Sequence, residues 1–302
     1  MFSLNKLYLI ATYMKQKSKW PYRYDLLQRY RLIEIVALWE GKLNAGHLID
    51  SFGIGRQQAS KDINEYLQKI GTGNLIYNPS LKGYEPSQNF TPKLTLGDAD
   101  EYLQLLNRNS DLTNTFENLT LGFDYTHTMP LPKHNIKPEV LQHLVRACRN
   151  NERLEVDYRS INAPDKDGRV IVPHSIVHSG MRWHIRAYCE KNQDYRDFVL
   201  TRFYGTPERI GQSKQGSQQD IAWNTEVNVC LMPDQRLSPE QQEIVANDYG
   251  MTDNRLVIQV RGALVQYLMQ MMRIDINITP ADPRAQQVVI QNMDAVKEWL
   301  FR

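Results

Sequence analysis

Cysteine is scarce in this 302-residue chain, and its three copies, Cys148, Cys189 and Cys230, stand too far apart to form a CxxC pair. That spacing excludes a small disulfide framework, argues against a structural zinc site and suits a reducing cytoplasm. No apolar run approaches the length needed to cross a bilayer. The N-terminus has no apolar signal core and no small-residue cleavage site. Residues 4–14 instead place Leu4, Leu7, Tyr8, Ala11 and Met14 at helical spacing, which predicts an extra amphipathic helix. Catalytic signatures are missing too: no HExxH, no Walker loop, no nucleophile elbow and no carboxylate cluster with metal-ligand spacing. The expectation is a cytoplasmic protein that is not an enzyme and uses neither metal nor cofactor, with no membrane partner.

What is present begins with ordinary globular proportions, 41% apolar and 23% charged residues, over a length that predicts two or three domains. The net charge of +2 conceals a division. Residues 1–95 hold 13 Lys or Arg against 7 Asp or Glu, while the remainder holds 23 against 27. A basic excess at one end is what a phosphate-binding module requires.

Within that basic segment, Ser51 to Ile70 reads as the turn and second helix of a helix-turn-helix. Gly53 and Gly55 permit the turn, and Ala59, Ile63, Tyr66, Leu67 and Ile70 recur at helical spacing toward a core. The other face carries Gln57, Lys61 and Asn64 at i, i+4 and i+7, with Arg56, Gln58 and Ser60 at its start. Arg and Lys suit guanine and phosphate, and Gln and Asn suit adenine, so this face is equipped for a major groove. A long helix from Asp25 to Glu40, stopped by Gly41, and a short helix capped by Asn44 precede it. Extended runs at 74–78 and 83–86 follow, joined by Pro79-Ser80-Leu81-Lys82, and form a wing with Lys82 at its tip. The prediction is a winged helix-turn-helix over 1–95.

Residues 96–136 read as a helical connector with a helix near 98–107 and prolines thereafter. A helix with Pro138 at N1 then buries Leu141, Leu144, Val145 and Cys148. Beyond it the period becomes two: 153–160, 170–178, 181–189, 197–203 and 206–210 read as five short strands of a strongly bent sheet or barrel, within a domain at 137–212. Gln212 to Asp220 is polar and reads as a linker. Over 221–302, strands at 226–232, 254–260 and 275–279 alternate with helices at 239–247, 264–272 and 292–301, giving a compact α+β unit. The chain as a whole is predicted to be an α+β multidomain protein.

The middle strands carry the pattern Arg169-x-Ile171-x-Pro173-His174, then Gly180-x-Arg182-Trp183-His184-Ile185-Arg186-Ala187-Tyr188-Cys189, then Tyr195-Arg196-Asp197-Phe198-x-Leu200-x-Arg202-Phe203. This resembles a WYL domain, with Trp183-His184-Ile185 standing where the family has Trp-Tyr-Leu. The stretches Leu26-Leu27-Gln28-Arg29-Tyr30-Arg31 and Gly55 to Asp62 extend the resemblance to WYL regulators that accompany bacterial phage-defence systems. The resemblance implies a Sm-like β-barrel at the centre that senses a ligand. It also implies a C-terminal α+β dimerisation domain, a homodimer, and operator DNA as partner.

Strand alternation gives a second route to the ligand site. His184 and Arg186 share one face of their strand, opposite Trp183, Ile185 and Ala187, and Trp183 is read as core. Arg196 and Arg202 fall on one side of the next strand, and Tyr158 and Ser160 on one side of the first. Together with His174 these groups predict a site for an anionic effector, a nucleotide or short nucleic acid, the alternative being a solvated basic face paired with Asp157, Asp194 or Asp197. The leading expectation is a dimeric repressor of defence genes on an inverted repeat, with recognition helices about 34 Å apart. The alternatives are an RNA or single-strand processing factor working through the barrel and, from a third class, a nucleotide-cleaving enzyme.

Overall fold

Helix α1, Tyr24–Glu40, turns Tyr30, Leu32, Ile33, Val36 and Ala37 into a core and ends at Gly41, whose φ of 72° only glycine adopts without strain. These features come from a computed structural model that describes residues 21–111, 134–161, 167–278 and 280–300. The helix expected at 4–14 and residues 112–133 of the connector lie outside the described residues. Two compact units divide the chain, residues 1–130 and 131–302.

In the first unit, α2 (Ala45–Phe52) starts at Asn44, whose N–H donates to His47 Nδ1 at 3.1 Å, and ends at Gly53 with φ 61°. Helix α3 (Arg56–Lys69) buries Ala59, Ile63 and Tyr66 against α1 and α2. Strands β1 (Leu75–Asn78) and β2 (Gly83–Pro86) form the predicted antiparallel wing. Its root is fixed by a mutual pair, Leu43 N–H to the Tyr84 carbonyl at 2.8 Å and Tyr84 N–H to the Leu43 carbonyl at 2.7 Å. A side chain at Gly83 would put its Cβ 2.7 Å from the Leu43 carbonyl oxygen, so glycine is required there. Helix α4, Ala99–Asp111, follows.

Glu34 ties this unit together. It is fully buried and accepts the backbone N–H groups of Lys93, Leu94 and Thr95 and the Thr95 hydroxyl at 2.9–3.1 Å. The Tyr66 hydroxyl of α3 donates to the same carboxylate at 3.0 Å. A buried carboxylate is tolerated only with such a full set of donors.

In the second unit, α5 (Pro138–Asn150) buries Val140, Leu144 and Ala147 against one face of a five-stranded antiparallel sheet. The strands are β3 (Glu152–Tyr158), β4 (Asp167–His178), β5 (Trp183–Cys189), β6 (Asp194–Val199) and β7 (Phe203–Gln212), in the order β6-β5-β4-β3-β7. Among the described residues no ladder joins β6 to β7, so the expected barrel is an open sheet. A 3-10 turn at Leu200–Arg202 ends β6, and the Val199 N–H is satisfied by the Tyr158 hydroxyl at 3.0 Å rather than by a carbonyl of β7.

The third region opens with α6 (Ile221–Asn224) and places β8 (Glu226–Pro233) between β9 (Leu256–Arg261) and β10 (Val288–Ile290). Helices α7 (Pro239–Asp248), α8 (Val265–Met271) and α9 (Met293–Val296) complete it, with Val229, Leu231, Val265 and Met269 fully buried. Over 275–278, the described part of the strand expected at 275–279, no strand forms. Asp275 Oδ1 takes the N–H groups of Asn277 and Ile278, a local turn that competes with a ladder. The third strand is β10 instead. The closing helix is only α9 and a 3-10 turn at Lys297–Trp299.

Candidate functional site

All six groups predicted on the second helix of the helix-turn-helix are exposed along one face of α3: Arg56, Gln57, Gln58, Ser60, Lys61 and Asn64. Arg56, Gln57, Ser60, Lys61 and Asn64 line a shallow open depression with Glu65 and Gln68. The N-cap is Gly55, with no side-chain cap and no acidic residue in the first turn, so the positive end of the helix is left uncovered. Gln58 is engaged at home: it donates to Asp62 at 2.7 Å, and Asp62 also holds Arg29 at 2.6 Å. Gln57, Lys61 and Asn64 project from the same face without that tie. Glu65 pairs with Lys69 at 3.5 Å and accepts from the Tyr30 hydroxyl at 3.3 Å, which moderates the one acid on this face.

Lys82 sits exposed at the wing tip in the left-handed region, φ 48°. Asn78 Oδ1 accepts the Ser80 and Leu81 N–H groups and holds the tip in shape. A lysine there carries a backbone cost of order 1 kcal/mol that glycine would avoid.

The seven residues predicted around the ligand divide. His174, His184 and Arg186 share the sheet face turned away from α5. Alternation from Val172 and Pro173 puts His174 on the face of Arg186, and a β-bulge between Pro173 and Ser175 brings Ser175 onto the same face. Arg186 is buried and donates to Asp220 at 2.7 and 3.2 Å and to Asp197 at 3.3 Å. His174 shares Asp220 through Nε2 at 3.2 Å and meets the Ser175 hydroxyl through Nδ1 at 2.9 Å. The Tyr267 hydroxyl of α8 donates to Asp197 at 3.1 Å. Burial alone would raise the Asp220 carboxyl, but the hydrogen bonds from His174 and Arg186 outweigh it and hold it down at about 2. Burial pushes Asp197 up in spite of the same guanidinium.

His184 is 5% exposed, and its Nδ1 has no hydrogen-bond partner. Its ring leans on Tyr267, with centroids 5.0 Å apart. Burial lowers the imidazole to about 4, and the nearby charges of Arg182 and Arg202 add to the effect.

The other predicted groups do not join the Arg186–Asp220 cluster. Tyr158 is a core residue, edge-on to Phe198 at 4.9 Å and to Phe203 at 5.1 Å, because its strand alternates with Leu154 and Val156 toward α5. Arg196 faces the opposite side of the sheet from Arg186, since the register pairs it with Ala187, and it is exposed beside Asp194. Arg202 is half-buried in the 3-10 turn, and Ser160 is half-buried just beyond the end of β3. Trp183, read as core, is 42% exposed and stacked on His178 at 4.6 Å.

The polar stretch read as a linker is bound to the sheet. The Tyr195 hydroxyl donates to the Gly216 carbonyl at 2.9 Å, and Asn151 and Ser213 exchange two hydrogen bonds. Asp220 caps α6 by accepting the Trp223 N–H, and the Trp223 ring meets His174 edge-on at 5.4 Å. Arg261 of β9 lies over that indole at 4.7 Å. Asp220, Trp223 and Tyr267 were absent from the predicted site. The one local signal was Asp220 as a helix cap, which says nothing of Arg186.

A winged helix-turn-helix, a WYL sheet with a charged inner cluster and a C-terminal α+β domain define a WYL-type regulator. The comparisons agree in order along the chain. Residues 25–108 match the winged helix-turn-helix domain of the BrxR transcriptional regulator, residues 139–205 the WYL domain, and residues 226–296 the C-terminal dimerization domain of BrxR. A DNA-binding transcriptional repressor CapW of Pseudomonas aeruginosa is 32% identical over 286 residues, spanning 93% of this chain and 94% of that one. CapW of Escherichia coli is 30% identical over 282 residues (93% and 94%), and CapW of Stenotrophomonas maltophilia 29% over 288 (95% and 96%). The chain therefore belongs to the CapW family, a family of regulators rather than enzymes. It also spans about half the length of a solved structure, proteasome accessory factor B/C of Arthrobacter aurescens, at 17% identity and a TM-score of 0.23, too slight to carry an argument. Among the described residues no helix is long and apolar enough to cross a membrane, and no group of His, Cys, Asp and Glu could hold a metal.

Proposed function

We propose that the chain is a homodimeric transcriptional repressor of phage-defence genes. It reads an inverted-repeat operator through α3 and the wing, and an anionic effector at the WYL domain releases it. The observation that carries this reading is the free polar face of α3, where Gln57, Lys61 and Asn64 are exposed at helical spacing on a helix whose N-terminus bears no acid. The likeness to repressors over nearly the whole chain supports it, as does the match to a dimerization domain. Two copies of α3, about 34 Å apart, would enter successive major grooves. Residues 1–95, 96–136, 137–212 and 221–302 divide the labour among reading, connection, sensing and pairing.

The test is selection of bound duplexes from a random pool, followed by titration of the selected site. Lys61→Ala lowers affinity and reduces the salt slope by about one, the signature of a lost phosphate contact. Gln57→Ala relaxes the preferred base at one position by about 1–3 kcal/mol. Both variants keep the dimer. Unchanged affinity in both, or equal binding to single strands at matched salt, refutes the reading.

A further inference from the structure

The buried cluster on the sheet face turned away from α5 contains a feature that sensing alone does not require. Arg186 presents its fork to a carboxylate that comes not from the sheet but from residue 220, in the segment leading to the C-terminal domain. Asp220 is 1% exposed, and its two oxygens meet donors that would serve a phosphate equally well: the Arg186 guanidinium on both, the His174 imidazole on Oδ2 and the Trp223 N–H on Oδ1.

We propose that Arg186 and His174, whose ring Ser175 holds in place, form a phosphate site that Asp220 occupies as an internal stand-in, and that the effector is a phosphate monoester whose phosphate replaces the Asp220 carboxylate. This rests on the ligand-sensing reading given above and names the chemistry and the competitor at that site.

Three observations support the exchange. First, the donors are built in. The bulge in β4 sets His174 and Ser175 side by side opposite Arg186, and the His174 ring is edge-on to both Tyr195 (5.7 Å) and Trp223 (5.4 Å), leaving aromatic surface beside the anion position. Second, the stand-in is held mainly by polar contacts. Ser217–Gln219 is a single 3-10 turn, α6 has four residues, and Ile221 next to Asp220 is 76% exposed. A segment with so few apolar anchors opens at little cost. Third, release has somewhere to go. Trp223 is gripped by Arg261 of β9, and the Gly262 N–H donates to the Thr225 carbonyl at 2.8 Å, so a freed Asp220 loosens the attachment of the WYL sheet to the region matched as a dimerization domain. Asp197, bonded to Tyr267, stays on the remaining Arg186 nitrogen and keeps the fork oriented.

A tethered competitor acts at an effective concentration in the millimolar range or above. Removing its charge therefore raises the apparent affinity for a free anion by at least about tenfold. The experiment uses the full chain without DNA, so that failure of operator binding and failure of this proposal are read separately. Asp220→Asn, which keeps volume and cap, is titrated calorimetrically with inorganic phosphate, a nucleoside 5′-monophosphate, and a tetranucleotide with and without a 5′-phosphate. The expected result is binding at least tenfold tighter than in the natural chain, lost again in the Asp220→Asn, Arg186→Gln double variant. The tightest of the phosphate-bearing probes identifies the source, and the tetranucleotide lacking its 5′-phosphate gains nothing. A folded Asp220→Asn with no gain for any phosphate-bearing probe overturns the proposal. If that variant does not fold, hydrogen exchange of the natural chain decides. Amides of 217–225 exchange faster at saturating phosphate monoester, and unchanged exchange overturns it.

Discussion

Replacing Glu34 by Gln preserves its shape and removes only charge and one acceptor oxygen, so it isolates the role of the buried carboxylate. With the amide oxygen placed at the Oε2 position, the N–H groups of Lys93, Leu94 and Thr95 and the Thr95 hydroxyl keep a partner. They lose the charged acceptor, a difference of about 1 kcal/mol per bond. The Tyr66 hydroxyl, which now meets an NH2 group, must rotate and accept instead. The summed cost is about 4 kcal/mol, a large part of the roughly 5–15 kcal/mol that holds a domain folded. Opposing this is the relief of desolvating a carboxylate, several kcal/mol for an unpaired ion. Here the donors already surround the ion, so most of that penalty is offset in the native state and little is regained. Urea unfolding monitored with hydrogen exchange at 93–95 measures the loss. Because Tyr66 hangs α3 from α1 through this carboxylate, duplex affinity falls in parallel. A destabilisation below about 1 kcal/mol, with unchanged exchange at 93–95, would refute the argument.

Three further expectations follow from single residues. Lys82→Gly relieves a left-handed backbone at the wing tip, so the winged domain gains up to about 1 kcal/mol in a melt while operator affinity drops; a variant that is neither more stable nor weaker in binding refutes the phosphate role. His184 has a folded pKa of about 4 against an ordinary 6.5, so its contribution to stability is present above pH 6.5 and is lost as pH falls toward 4. His184→Phe flattens that part of the pH profile, and a profile unchanged by the substitution counts against burial as the cause. Tyr158→Phe removes the hydroxyl that receives the Val199 N–H and costs about 1 kcal/mol without altering effector response; a lost response would return Tyr158 to the ligand site.

The winged domain was legible because its signals are local. Gly41 and Gly53 end helices in the left-handed region, Asn44 begins one, and the 3.6-residue period separates Ala59, Ile63 and Tyr66 from Gln57, Lys61 and Asn64. In the WYL sheet, alternation within one strand correctly put His184 and Arg186 together. The register between strands is not written in any one of them. Arg196 was therefore assigned to the face of Arg186, while the pairing sets it opposite Ala187. The same limit hid Asp220, whose partner lies 34 residues away and whose own neighbourhood reads as polar connector. Trp183, hydrophobic by type, stands at the end of its strand, stacked on His178 and 42% exposed.

The extra residue in β4 can be subtracted without unzipping its neighbours. Pro173 lies across from Ala187 and Ser175 across from Arg186, so excising His174 would splice two rungs that are already consecutive on β5. Deletion here would be gentler on the backbone than at adjoining positions, and it would take away one imidazole and nothing else. The chain thus holds that ring as a detachable insert, and the excised protein reports what the imidazole does for the carboxylate at 220 with the strands left in register.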